Sequence, residues 1–506
     1  MISIVTSRKP LESQEVDGLA VFLTEGFSVE NDLGALASSY FPALKELIAQ
    51  KEFTGKSLSS LIVTGFKQNK AIDLIFVGLG KASDNGSIET EIYRRAVGRV
   101  IRIAETRKIE SLALQLPQAS LLECGEYAAG YEAAIIVRMA KYHFDSYITS
   151  DDRKFTHLKN VILVATQGDE STIKKAVHDG EIVAQSVNQA RHWIDLPPIL
   201  LTPEYLARQA QDIAKKNNLK VTVFSEEEVI KMGMGGLAGV SRGSDLDCKF
   251  VILEYNCGIA DAPTLGIVGK GITFDSGGLS IKPAESMERM KDDMSGAAAV
   301  ISTMDALAQL KPAVNVIAFA PIAENLPSGK ALRPGDIISF YNGKTAEVKN
   351  TDAEGRLILA DALSYAVKNY KLDAIIDLAT LTGACAYFLG PFFSGLLSQH
   401  EEFTKRVQEA GEKSGDRVWR LPLHDDYKPA IQTAVADICN IGSSRYKAGA
   451  ITAAFFLQNF VDDVPWVHLD IAGTAFDVPD ISYFRSESAT GVGVRLLVNL
   501  AMNWEK

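Results

Sequence analysis

The stretch Asn350-Thr351-Asp352-Ala353-Glu354-Gly355-Arg356-Leu357 sets three ionic side chains at every second position, between a segment that alternates like a strand and one with helical apolar spacing. Ala346–Lys349 is the alternating part, and Leu357–Val367 carries its apolar residues at the helical interval. In an extended segment positions i, i+2 and i+4 point to one side, so Asp352, Glu354 and Arg356 are expected to converge where a strand ends and a helix begins. In α/β sheets such ends are where ligands bind. Helix capping is the alternative reading, since acids favour first turns.

A second cluster lies upstream, across residues 266–296. Leu265–Val268 reads as a short apolar strand, with Lys270 and Asp275 on Gly-rich loops after it. Asp293 stands just before a plausible buried helix starting at Met294. Gly277 and Gly278 let the backbone approach a ligand closely or simply turn. If Asp275, Asp293, Asp352 and Glu354 are gathered, their four negative charges cannot all persist without cations. Two divalent ions would balance them, and carboxylate oxygens suit Mg, Mn and Zn, with ions about 3.5–4 Å apart. A lysine joins such a set only when deprotonated, which adjacent metals promote. Read singly, each acid is an ordinary solvated loop residue, and spacing alone does not establish convergence.

Taken together, N-T-D-A-E-G-R-L and V-G-K-G-I-T-F-D-S-G-G-L-S-I-K-P resemble the leucyl aminopeptidase (cytosol aminopeptidase) family. The similarity continues through M-K-D-D-M-S-G-A-A-A-V, D-L-A-T-L-T-G-A at 377–384 and W-V-H-L-D-I-A-G-T-A at 466–475. It is strong over roughly residues 185–500 and only architectural before that. The resemblance implies a metal-dependent aminopeptidase that releases N-terminal leucine and other mostly apolar residues from peptides through a metal-bridged water. It implies two divalent ions (Mn or Zn) held by Lys270, Asp275, Asp293, Asp352 and Glu354. Lys282 would hydrogen-bond the reacting carbonyl oxygen, and Arg356 would hold a bicarbonate acting as general base. That last role agrees with the anion preference of helix N-termini. Met290, Thr380, Gly383 and Ala472, with the Ala475 position, would wall a substrate pocket, although Met290 could equally be core. The resemblance further implies peptide substrates and a homohexamer. The family pattern M-K-x-D-M has Asp292 at x here, so Asp292 competes with Asp293. Ile194-Asp195-Leu196-Pro197-Pro198 also departs from the usual Asn-Thr-Pro-Pro.

With 506 residues, the chain exceeds one typical core. Alternating segments such as Ala71–Val77, Glu91–Glu105, Ser111–Leu116 and Asn160–Ala165 indicate an α/β layer. Together with the resemblance they give an α/β protein with a smaller N-terminal α/β domain over 1–170 and a linking helix over 171–193. A larger C-terminal catalytic α/β domain follows over 194–506, with a mixed central sheet flanked by helices. Thr202-Pro203 marks a helix start.

The net charge of −11 weighs against general nucleic-acid binding but leaves a local basic patch open. A DNA-binding accessory role, which some bacterial members of the family have, and a two-metal phosphatase therefore stay as alternatives. The five cysteines, Cys124, Cys248, Cys257, Cys385 and Cys439, include no C-x-x-C pair, and they read as reduced thiols of a cytoplasmic protein. No signal-peptide apolar region is evident at the N-terminus. Residues 378–397 are uncharged, but their glycines and Pro391 favour a buried strand and loop over a membrane span. Gly239–Gly243 matches G-x-S-x-G without the strand and helix that a nucleophile elbow needs. Gly78-Leu79-Gly80 and Gly233–Ala238 are incomplete dinucleotide loops, the first read as a turn. His468 is expected to be a hydrogen-bonded core residue, not a metal ligand.

Overall fold

The computed structural model describes residues 2–122, 125–150 and 157–504. These fall into two compact units, residues 1–185 with 480–485, and residues 186–479 with 486–506. The helix Glu170–Asp195 crosses from one range into the other.

The first unit is built on a six-stranded sheet. Its order is Ser3–Ser7, Asn160–Val164, Ser111–Gln115, Gly18–Thr24, Lys70–Gly80 and Ser60–Lys67. All neighbours are parallel except the last pair, a hairpin. The helix Thr90–Thr106 buries Tyr93, Ala96, Val97, Val100, Ile101 and Ala104, the i, i+3, i+4 stripe that period 3.6 dictates. Arg94, on the same helix, is buried and meets Glu132 in a bidentate pair of 2.7 Å bonds, which compensates the charge. Gly78-Leu79-Gly80 is not a turn but the end of the long strand Lys70–Gly80. A Cβ at Gly78 would stand 2.1 Å from the Lys56 carbonyl oxygen, so close packing accounts for that glycine.

The second unit carries a nine-stranded mixed sheet. Its centre is four parallel strands, in the order Trp466–Asp470, Ala374–Ala379, Thr264–Gly269 and Asn315–Asn325. Lys249–Tyr255 and Lys220–Phe224 extend one side antiparallel. Ser394–Leu397 and Val418–Arg420 extend the other. Because both faces of the centre are covered, these strands are mostly apolar, interrupted by the buried pair Asp377 and His468. The helix Ser295–Leu310 is buried over every residue from Ser295 to Leu307, consistent with its apolar character all round. The helix Pro203–Asn217 starts at Thr202, whose hydroxyl accepts from the Tyr205 N–H at 3.2 Å.

The helix Gly355–Asn369 packs its apolar residues against the second unit's core, with Asp361 among them. That carboxylate accepts the N–H groups of Leu237 and Tyr341, both at 2.9 Å. Burial nevertheless pushes its carboxyl up to about 7. The folded protein thus keeps a proton that an unfolded chain releases near the ordinary aspartate value, so stability should fall as pH rises from about 4 to about 7. Relative to wild type, the melting temperature of Asp361→Asn should rise between pH 4.5 and 7.5; a constant difference would show that Asp361 does not titrate in this window.

The uncharged tract, the G-x-S-x-G match and the cysteines each take a definite place in the fold. Residues 378–397 form the end of one strand, the short helix Gly383–Leu389 and the strand Ser394–Leu397, and no described helix is long and apolar enough to cross a membrane. Gly235–Ser241 is a helix, which places Ser241 inside it, buried, and not on an elbow. Cys124 lies outside the described residues; Cys248, Cys257, Cys385 and Cys439 are free thiols.

Candidate metal centre

The cluster forms at the carboxyl ends of the parallel strands, as the rule for open α/β sheets anticipates. Lys270 follows the strand Thr264–Gly269 directly. Its backbone is pinned on both sides, with its N–H donating to Leu378 O at 3.0 Å and its carbonyl accepting from Ala297 N–H at 2.8 Å. Asp275 is not on a loop but ends the strand Gly271–Asp275. The next residues turn through Gly277 and Gly278 at φ +86° and +62°, a region that favours glycine. Asp293 lies between a 3-10 turn, Met290–Asp292, and the buried helix Ser295–Leu310.

The segment 350–356 is not extended. Thr351 and Asp352 form a turn, Glu354 already has helical dihedrals, and Arg356 sits in the first turn of the helix. Asp352 and Glu354 nevertheless reach the cluster, because the turn closes over the Gly277–Lys282 loop. Thr351 Oγ1 donates to Gly277 O at 2.7 Å and accepts from the Ser280 N–H at 2.8 Å.

Oxygens of Asp275, Asp293 and Glu354 lie within 4.8 Å of one another, and all three residues are buried. Lys270 Nζ sits 2.7 Å from Asp293 Oδ1 and 2.8 Å from Glu354 Oε1, and donates to the Thr380 carbonyl at 2.9 Å. Lys282 Nζ is 2.8 Å from Asp275 Oδ2 and 2.5 Å from Asp352 Oδ1. Two ammonium groups thus stand among four carboxylates. Lys270 runs over Gly355, where a Cβ would meet its Cε at 2.4 Å, so a side chain at 355 would displace it. Of the adjacent acids, Asp293 is in the group of three and Asp292 is not.

The electrostatics are those of a site short of positive charge. Burial, with Glu354 beside it, pushes Asp275 up to about 6 against the pull of both lysines. Burial holds Asp293 well above the ordinary value. Burial opposes the charge on Lys270, but Asp293, Glu354 and Asp275 outweigh it and hold the ammonium above the lysine range. Asp293 Oδ2 and Glu354 Oε2 are buried and find no hydrogen-bond partner among the described residues. Unsatisfied buried carboxylate oxygens are costly, so the donor set fits cations beyond the two lysines. A lysine and carboxylates at this spacing suit divalent ions that take oxygen and nitrogen.

Around this core, Thr380 Oγ1 donates to Asp293 Oδ1 at 2.8 Å, while Gly383 opens the helix Gly383–Leu389. Ala472 N–H donates to Asp470 Oδ1 at 3.2 Å. Met290 and Ala472 are half-buried, whereas Ala475 is buried. Arg356 is buried, donates to the Asn440 carbonyl at 2.7 Å, and leaves Nε without a partner among the described residues. Burial draws its guanidinium down to about 10, despite Glu354 and Asp470 nearby. His468 is fully buried and pairs with Asp377 at 2.6 Å; Trp466 Nε1 donates to the same carboxylate at 2.7 Å. Among residues not singled out from the sequence, Asn325 is buried and donates to Asp275 Oδ1 at 2.7 Å and to Thr351 O at 3.0 Å. Asn440 belongs with it. Neither asparagine lies in a charged motif, so nothing local distinguished them.

This fold and this cluster define a two-unit α/β protein with a buried acidic centre at the carboxyl edge of its larger sheet, fit for divalent cations. The chain belongs to the cytosol aminopeptidase family, whose catalytic domain matches residues 188–498 and whose N-terminal domain matches residues 20–151. It is similar to a probable cytosol aminopeptidase of Nostoc punctiforme, 41% identical over 98% of this chain and 99% of that one. A second, from Desulforapulum autotrophicum, is 40% identical over 90% of this chain and 89% of that one. Among solved structures, a mutant of tomato leucine aminopeptidase superposes with a TM-score of 0.85 at 29% identity, covering 100% of this chain and 97% of that one. The bottromycin maturation enzyme BotP in complex with Mn superposes with a TM-score of 0.83 at 31% identity, covering 96% of this chain and 99% of that one. The chain is therefore a hydrolase of the aminopeptidase class.

Proposed function

We propose that this protein removes N-terminal residues from peptides with two divalent ions, Mn or Zn, held by Lys270, Asp275, Asp293, Asp352 and Glu354. The observation that carries the reading is the meeting of three buried carboxylates within 4.8 Å, with two ammonium groups among them. When bound, the ions supply an activated water at neutral pH and polarise the scissile carbonyl. Lys270 would serve as a ligand only as the neutral amine, without the proton that Asp293, Glu354 and Asp275 stabilise on it. Lys282, the more open of the two lysines, then faces the reacting carbonyl and donates a hydrogen bond to its oxygen as charge develops. Arg356, at a helix start and with its Nε unpaired among the described residues, would hold a bicarbonate, which would supply the general base.

Specificity follows from the half-buried surface of Met290, Thr380 and Ala472 beside Gly383, which suits leucine and other apolar side chains. Discrimination of about 1–3 kcal/mol per methylene makes the preference broad. The relatives' name, cytosol aminopeptidase, supports a cytoplasmic place of action, and we include a homohexamer in the reading as the family's form.

The test is steady-state cleavage of leucine p-nitroanilide against its N-acetyl form, with protein stripped of metal and then reloaded with Mn or Zn. Metal-dependent cleavage of the free-amine substrate alone is expected. Folded protein that cleaves neither under any metal would sink the proposal.

A further inference from the structure

Asn440 follows directly on the two-residue strand Ile438–Cys439, which pairs in parallel with Thr345–Glu347. It is fully buried, and every polar atom it owns is committed to the segment that carries Asp352, Glu354 and Arg356. Its N–H donates to Glu347 O at 3.0 Å. Its Oδ1 accepts from the N–H groups of Lys349 at 2.8 Å and Asn350 at 3.3 Å. Its Nδ2 donates to Asn350 O at 2.6 Å and to Ala353 O at 3.4 Å. Its carbonyl accepts from Arg356 Nη1 at 2.7 Å. One side chain thus bridges both ends of the turn that presents Asp352, and the same residue's backbone anchors the guanidinium.

Such a commitment exceeds what loop closure needs. The turn has its own brace, the Asn350 Oδ1 that accepts from the Asp352 N–H at 2.8 Å. Thr351 also holds the turn from outside, through Gly277 O and the Asn325 amide; what Asn440 adds is a link from the opposite side that ties the turn to Arg356. Groups that orient ligands without touching the ion typically affect affinity or activity by about 10–100-fold.

We propose that Asn440 is a positioning residue that locks Arg356 and the Asp352–Glu354 turn into one unit, so that metal affinity and turnover both depend on a side chain that touches neither ion nor peptide. The inference rests on the aminopeptidase reading for its turnover arm but not for its metal arm.

The experiment compares Asn440→Ala and Asn440→Asp with wild type by Mn2+ titration, followed by electron paramagnetic resonance, and by leucine p-nitroanilide kinetics at saturating Mn2+. The aspartate keeps the size and an acceptor oxygen but replaces the amide that donates to Asn350 O and Ala353 O with an oxygen that can carry negative charge, so it breaks both bonds and decides the question even where the alanine variant fails to fold. Both measures should change in each folded variant: Mn2+ binding weakened about 10–100-fold and kcat lowered to a similar degree, with KM near wild type. Wild-type Mn2+ affinity and kcat in folded Asn440→Asp, with or without a lower melting temperature, would overturn the inference and leave Asn440 an ordinary packing residue. If wild type binds Mn2+ but cleaves nothing, the aminopeptidase reading fails instead, and the Mn2+ titration still decides the role of Asn440.

Discussion

Glu354→Ala is expected to bind at most one of the two proposed ions and to lose turnover by at least about 10²–10³-fold, the loss typical of a single transition-state contact. The reason lies in the balance of charge. Glu354 is buried, sharing Lys270 with Asp293 on one oxygen and leaving the other without a partner among the described residues. Burial works against its charge, yet Lys270 and Lys282 together hold its carboxyl below the ordinary value, so it stays ionised in this setting. A carboxylate kept charged, buried and half-satisfied at the middle of the cluster would suit a ligand of the proposed ions. Bound metal measured by elemental analysis on the gel-filtered variant, with kcat from the same sample, checks this. Two ions per chain and wild-type turnover would remove Glu354 from the centre.

Lys282→Ala should behave differently, and the contrast makes the two informative together. Its turnover should fall by about 10²–10³-fold while bound metal stays at the wild-type level. Lys270 and Lys282 look alike in sequence, but their settings differ. Lys270 is 3% exposed, pinned by backbone bonds on either side and packed over Gly355. Lys282 is 14% exposed and reaches Asp275 and Asp352 from the open side. Burial opposes its charge, but Asp275 and Glu354 outweigh it and hold the ammonium above the ordinary lysine range. A charged donor at the open side can meet a developing oxyanion, whereas a buried lysine among carboxylates can only serve the ions. An unchanged kcat, or metal loss in proportion to activity, would rule out the donor role.

Much of the centre was legible because its charges sit where apolar periodicity changes. Asp293 precedes a helix whose buried run is visible as Ala, Val, Ile and Met, and Lys270 follows a strand visible as Leu, Ile and Val. The local shape of the octapeptide was misread. Alternation suggests an extended segment, but Glu354 takes helical dihedrals and the helix begins at Gly355, two residues before its apolar stripe. Asp352 and Glu354 converge because a turn folds back on the Gly277 loop, not because a pleat aligns them. The strand Gly271–Asp275 was missed for a related reason. Two glycines nearby look like a loop, whereas its pairing partner, Asn315–Asn325, lies some fifty residues on and leaves no local trace.

Local chemistry alone determined the alternation of strands and helices, the places where acids interrupt apolar runs, and the family likeness of the motifs, since each depends on neighbours a few residues away. Only the tertiary structure decided which acid of the pair Asp292–Asp293 enters the cluster, which lysine is buried, and that Asn325 and Asn440 brace it. Asn440 bonds residues about ninety positions earlier, and Asn325 bonds Asp275 fifty positions earlier. An amide side chain carries no periodicity and no charge, so its role appears only when long-range closure brings unpaired backbone groups to meet it.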